Sequence, residues 1–226
     1  NGRMSRPFGA HDERVLVQVA ERAALALQAV SLLEEARRER DVLGLIQGIN
    51  RIISAELDRE KLVQAVVDAA TEVSGAAFGA FFYNVDDERG QSYQLYALAG
   101  ADHAAFATFE MPRATPVFGP TFRGEGSVRS ENIQEDPRFG QWPPFHGMPP
   151  GHLPVRSYLA VPVVDRAGVV LGGLFLGHHE EGVFDERATR IVEGIAVQAA
   201  IAFDNAELFE QTRRALRTQE DFVSLT

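Results

Sequence analysis

The stretch SYLAVPVVDRAGVVLGGLFLG, residues 157–177, decides the fold. Residues 157–164 and 169–177 are runs of β-branched and other apolar residues. Between them Asp165-Arg166-Ala167-Gly168 is a turn signal, and the combination predicts a β-hairpin. Upstream, strand-like runs fall at 77–83, 93–98 and 127–132, and Asp87-Glu88-Arg89-Gly90 marks a turn between the first two. These runs predict an antiparallel sheet.

The rest of the chain is helical in pattern. Residues 12–53 contain no proline, and Val15, Val19, Ala26, Val30, Leu33, Leu43, Ile46, Ile49 and Ile53 recur at helical spacing, which predicts a long helix, either continuous or broken near Gly44 or Gly48. Inside it, residues 34–41 are nearly all charged, as expected of a connector between globular bodies. Residues 58–73 carry one apolar stripe, Leu62, Val66, Ala69, Ala70 and Val73, behind a capping residue at Asp58, and are expected to pack on the sheet. In residues 185–225, Ile195, Ala202, Phe209, Leu216 and Val223 repeat every seven positions, and Ala199 and Ala206 fill the alternate places. That spacing predicts a coiled-coil seam joining two copies of the chain.

The two terminal helices also resemble each other. At an offset of 176 residues, 8–38 aligns without gaps on 184–214, with identities that include Ala23-Ala24 with Ala199-Ala200, Leu32 with Leu208, Glu34 with Glu210 and Arg37-Arg38 with Arg213-Arg214. The expectation is that residues 1–40 are the closing helix and linker of a preceding module of the same kind, followed by a domain over 41–205 and a signalling helix over 206–226.

Composition removes several functions. The net charge of −10 gives no general attraction to nucleic acid or to anionic lipid. Lys61 is the single lysine, so no phosphate loop or Schiff base is expected. The chain has no cysteine, which excludes disulfides, zinc–thiolate sites, a cysteine nucleophile and a thioether-linked chromophore, and fits a reducing cytoplasm. No run of about 18 purely apolar residues is present, so no membrane insertion is expected. No Gly-x-Ser-x-Gly turn or paired carboxylate signature points to catalysis.

Several stretches resemble the GAF domain over about residues 41–214. They are Leu62-Val63-Gln64-Ala65-Val66-Val67 through Gly79-Ala80-Phe81-Phe82, the Asp136-Pro137-Arg138-Phe139 turn, the strand from Ser157 to Val163, and Gly168 through Phe175. The run from Met148 to Tyr158 is similar to a GAF subgroup of multidomain sensor kinases, and residues 217–226 resemble the lead-in to a histidine kinase dimerisation helix. The resemblance implies an α+β fold: a central antiparallel sheet with helices packed on one face, and long N- and C-terminal helices forming a coiled-coil-like homodimer seam. It also implies a small-molecule pocket on the other face of the sheet, in a regulatory, non-catalytic module of a two-component signalling protein.

On that basis Phe82, Tyr96, Phe139, Trp142, His152, Arg156, Tyr158 and Phe175 are the candidate pocket residues, since rings supply apolar area and Tyr, Trp and His add directed hydrogen bonds. The same residues filling a closed core is the alternative. Arg123, Arg129, Arg138 and Arg156 could grip a carboxylate or phosphate, or pair locally with Glu125, Glu131, Glu135 and Asp136. His146, His152, His178 and His179 raise a haem or metal site, with turn and surface roles as the plainer reading. No cofactor is assigned.

Overall fold

The computed structural model describes residues 9–56, 58–87, 90–101, 115–141, 146–148 and 151–224. The chain divides into two units, residues 1–45 and residues 46–226, with the boundary inside the first helix, α1 (Ala10–Ala55).

In the first unit α1 exposes an apolar face, with Val15, Leu16, Val19, Leu25, Leu27, Val30 and Leu33 all open to solvent. The helix runs unbroken through Gly44 and Gly48, the continuous one of the two forms its sequence allowed. A glycine costs a helix about 1 kcal/mol but keeps its backbone hydrogen bonds, so two of them weaken the helix without ending it. By length and composition alone, Glu13–Ile49 is apolar enough to cross a membrane, which strict counting of apolar runs missed because Glu21 and Arg22 interrupt the stretch.

The second unit is built on a five-stranded antiparallel sheet in the order β2-β1-β5-β4-β3, comprising β1 (Phe78–Asp87), β2 (Gly90–Ala99), β3 (Val128–Ser130), β4 (Ser157–Val164) and β5 (Val170–His178). The hairpin read from residues 157–177 is present, with Leu159 opposite Leu176 and Val161 opposite Leu174. Asp165 makes its turn, accepting the backbone N–H groups of Ala167 at 2.9 Å and Val169 at 2.7 Å, while Gly168 takes the left-handed φ of 85° that closes it.

Helix α2 (Arg59–Ser74) begins where Asp58 accepts the N–H groups of Glu60 and Lys61, at 3.0 and 3.3 Å, and stops at Gly75 in the left-handed conformation. Its stripe of Leu62, Val63, Val66, Val67 and Ala70 is fully buried. A four-residue helix, α3 (Gly119–Phe122), packs against β4 and β5, and a 3-10 turn covers Ile133–Glu135. The exit helix α4 (Glu186–Ser224) starts behind Asp185, which accepts the Ala188 N–H at 2.7 Å. Helices α2 and α4 contact each other and the sheet, and the Phe81 and Phe203 rings meet 5.8 Å apart at that interface.

Strand alternation then sorts the side chains. Phe81, Leu159, Val161, Val163, Leu174 and Leu176 are buried on the helix-covered face, whereas Ala80, Phe82, Tyr158, Ala160 and Phe175 belong to a separate core cluster on the opposite face.

Candidate functional site

The second face of the sheet is aromatic. Phe175 stands at its centre, with the Phe118 ring at 5.0 Å, Phe82 and Phe122 each at 5.3 Å and Tyr158 at 6.4 Å. The consecutive glycines of β5 make room for rings on both faces. A β-carbon at Gly173 would fall 2.7 Å from the Phe175 ring and 3.0 Å from the Thr121 methyl group, and one at Gly172 would fall 2.5 Å from the Phe81 ring.

Of the eight residues expected to line a pocket, Phe82, Tyr158 and Phe175 share this cluster, and Phe139 packs against it half-buried. Tyr96 does not join them. It is the extra residue where the β1–β2 register shifts, between the pairs Phe81–Ala97 and Phe82–Leu95, and its ring lies 4.9 Å from Tyr83. Tyr83 in turn accepts a hydrogen bond from Arg59 Nε of α2 at 3.1 Å, which places both tyrosines on the helix side. A bulge of this kind redirects a side chain in a way that simple alternation does not anticipate. His152 is half-buried, with Nδ1 donating to the Leu153 carbonyl oxygen at 2.8 Å. Trp142 lies outside the described residues.

Arg156 is exposed and pairs with Glu181 on the rim. The other arginines are engaged close by: Arg123 with Glu125, Arg138 with Asp136, and Arg129 with the Phe184 carbonyl oxygen at 3.1 Å. Local pairing therefore accounts for the arginine cluster. The Arg138–Asp136 pair has two side-chain hydrogen bonds, at 2.9 and 2.7 Å. Those bonds hold the Asp136 carboxyl below its ordinary pKa, against the opposing effect of burial. His178 and His179 stack on each other at 4.3 Å, and among the described residues no group of three ligating side chains could hold a metal ion.

Beside this rim an open depression of about 370 Å³ is lined by Ser130, Glu131, Asn132, Glu135, Asp136, Glu181 and Gly182. Its carboxylates are partly engaged already, as Asn132 Nδ2 donates to Glu135 and Glu181 at 3.2 and 3.1 Å.

Among the described residues, the hydroxyls of Tyr158 and Thr121 are buried on the aromatic face without a hydrogen-bond partner. Burial drives the Tyr158 phenol far above its ordinary pKa, so it stays protonated. Sequence reading missed Thr121 and its neighbours Phe118 and Phe122. The available signal was Pro116 and Pro120, each two residues ahead of a phenylalanine, with Phe118 and Phe122 four residues apart, a spacing that puts both rings on one side of a helical turn.

The expected dimer seam divides in two. Ile195, Ala199, Ala202 and Ala206 are buried in the chain's own core, while Phe209 and Leu216 are exposed; the side chain of Val223 lies outside the described residues. A second copy therefore has access to the seam only from Phe209 onward, and Leu208 is exposed beside it.

A family model for the GAF domain matches residues 56–204. The chain belongs to the GAF domain family, whose members are typically small-molecule-sensing or regulatory domains of signalling proteins and are usually non-catalytic. Among solved structures, the chain is similar to the GAF domain of a phosphoenolpyruvate-protein phosphotransferase from Coxiella burnetii, at 19% identity over 75% of this chain and 96% of that one, with a TM-score of 0.61. It is also similar to free methionine-R-sulfoxide reductase from Neisseria meningitidis in complex with its substrate, at 17% identity, 74% and 90% coverage and a TM-score of 0.59. A third is the GAF domain of a protein assigned as a sensor histidine kinase from Pseudomonas syringae pv. tomato, at 15% identity, 80% and 97% coverage and a TM-score of 0.53. At these identities the likeness carries the fold and not the activity.

Proposed function

We propose that this chain is a sensor and signal-relay module of a two-component-type signalling protein, in which the state of the aromatic face is passed through α4 to an output domain. The observation that carries the reading is the alternation along β4. Tyr158 and Ala160 belong to the aromatic cluster, Leu159, Val161 and Val163 are buried on the other face, and α4 packs on this same strand. A ring displaced on one face therefore presses on the strand that seats the exit helix.

The module itself is read as non-catalytic. With no cysteine, it holds no thiol that could supply electrons to a sulfoxide. A histidine kinase output is supported by the resemblance of residues 217–226 to a kinase lead-in and by the likeness to a GAF domain of a protein assigned to that class. The reducing compartment that suits a cysteine-free chain is the cytoplasm.

The exposed face of α1 supports a tandem arrangement. Val15, Leu16, Val19, Leu27 and Val30 align with Ile191, Val192, Ile195, Phe203 and Ala206 of α4; the first set is open to solvent and the second is buried. The first helix thus carries the pattern of an exit helix whose body is another GAF-type sheet, and this accounts for an apolar stretch of spanning length without invoking a bilayer. Beyond the buried root of α4, Leu208, Phe209 and Leu216 supply the apolar stripe for a parallel homodimer.

The direct contact among the rings around Phe175 favours a second reading, in which the face is a closed core and the module acts only as a dimerising spacer. A spin label distinguishes the two. The chain has no cysteine, so Arg213→Cys gives one unique labelling site on α4. In the dimer, replacing Phe175 by Leu shifts the distance between labels if the face is coupled to the helix, and an unchanged distance distribution would sink the relay.

A further inference from the structure

Among the described residues, the buried hydroxyls of Tyr158 and Thr121 find no partner, although the two residues are only 7% and 0% exposed. Native proteins rarely leave such groups dry and unpaired, so a molecule that completes them is the natural explanation. The nearby ion pair does not serve: Asp136 and Arg138 lie within electrostatic reach of the phenol but bond to each other. The hydrophobic part of the lining is the cluster that holds Tyr158, chiefly Phe82, Phe122, Ile133 and Phe175.

This lining decides the class of ligand. Among the described residues, the charged side chains within electrostatic reach of the phenol, Asp136 and Arg138, already neutralise each other, so a charge on a ligand would be buried unpaired, at prohibitive cost. Flat aromatic surfaces on several sides favour a ring. Phe118, Phe139 and Met148 pack on the cluster and are themselves only partly buried. Resting on the sensor reading above, we propose that this face binds an uncharged aromatic compound bearing a carbonyl or similar oxygen acceptor, to which the Tyr158 hydroxyl donates while Thr121 provides the second polar contact.

The test uses three probes of similar size: acetophenone, with a neutral acceptor; toluene, with none; and benzoate, with a charged one. Binding to the whole chain is followed by calorimetry and thermal shift, in the wild type and in Tyr158→Phe and Thr121→Val. Without ligand, Tyr158→Phe removes an unpaired polar atom and raises Tm by roughly 2–6 °C. Acetophenone binds about tenfold or more tighter than toluene or benzoate, and that preference disappears in Tyr158→Phe and shrinks in Thr121→Val.

Equal binding of toluene and acetophenone would overturn the assigned chemistry while leaving a sensor in place. A lower Tm for ligand-free Tyr158→Phe would show that the hydroxyl is already satisfied and would also overturn it. Binding of none of the three rejects the proposal, and the spin-label distances then judge the relay separately.

Discussion

Gly172 and Phe81 compete for one space: a methyl group at Gly172 would stand 2.5 Å from the Phe81 ring and 2.4 Å from the Phe82 carbonyl oxygen. Phe81 is fully buried between the sheet and α4, and the carbonyl belongs to the paired strand, so neither can withdraw. Gly172→Ala is expected to destabilise the domain by about 1–3 kcal/mol through overpacking, read as a lower denaturant midpoint at unchanged slope.

The start of α2 rests on one carboxylate. Asp58→Ala leaves the N–H groups of Glu60 and Lys61 without their acceptor and should cost about 0.5–2 kcal/mol in chemical denaturation, whereas Asp58→Asn keeps an acceptor and recovers most of it.

Two residues seven-residue spacing treats alike should behave differently. Ile195→Ala opens a cavity in the core and is expected to cost about 2–5 kcal/mol. Leu216→Ala, at an exposed position, should change monomer stability by less than about 0.5 kcal/mol and instead weaken self-association in sedimentation velocity. Equal losses of stability would show that both face the same core.

Acid sensitivity should report the Asp136–Arg138 pair. The folded-state pKa of Asp136 is depressed, so its contribution is fully present above the ordinary carboxylate value near 3.8 and is lost as pH falls through the lower, folded value. Asp136→Asn should lower stability by about 1 kcal/mol at neutral pH, the half-exposed guanidinium limiting the size of the effect. Its Tm should then fall less steeply than that of the wild type below pH 4.

If, as proposed, α1 closes a preceding sheet of the same kind, then in a polypeptide carrying that sheet Val19→Asp and Leu27→Asp should expose it to hydrogen exchange, yet leave the Tm of residues 46–226 unchanged. Unaltered exchange would remove the tandem arrangement.

The sheet was legible because hydrophobic period and turn chemistry agree at each strand; residues 157–164 become β4 at the same bounds, and Asp58 caps α2 as its position implied. The site was legible only in part. Phe82, Tyr158 and Phe175, chosen through the resemblance and the chemistry of their rings, are brought to one face by strand alternation, but Tyr96 is turned away by a bulge that no local pattern announces. The seam illustrates a different limit: a small-and-large repeat along a helix looks the same whether it meets a second helix or its own sheet. Burial separates Ala206 from Phe209, and three residues of sequence do not.

The exit helix passes from buried at Ala206 to exposed at Leu208 and continues to Ser224. At 1.5 Å per residue the segment beyond Ala206 is about 27 Å long, so a tilt of about 5° at its seat sweeps the far end through about 2 Å. On the proposed relay, a rearrangement among the rings around Phe175 that tilted the seat of the helix by that amount would be read at its far end as a displacement of about 2 Å.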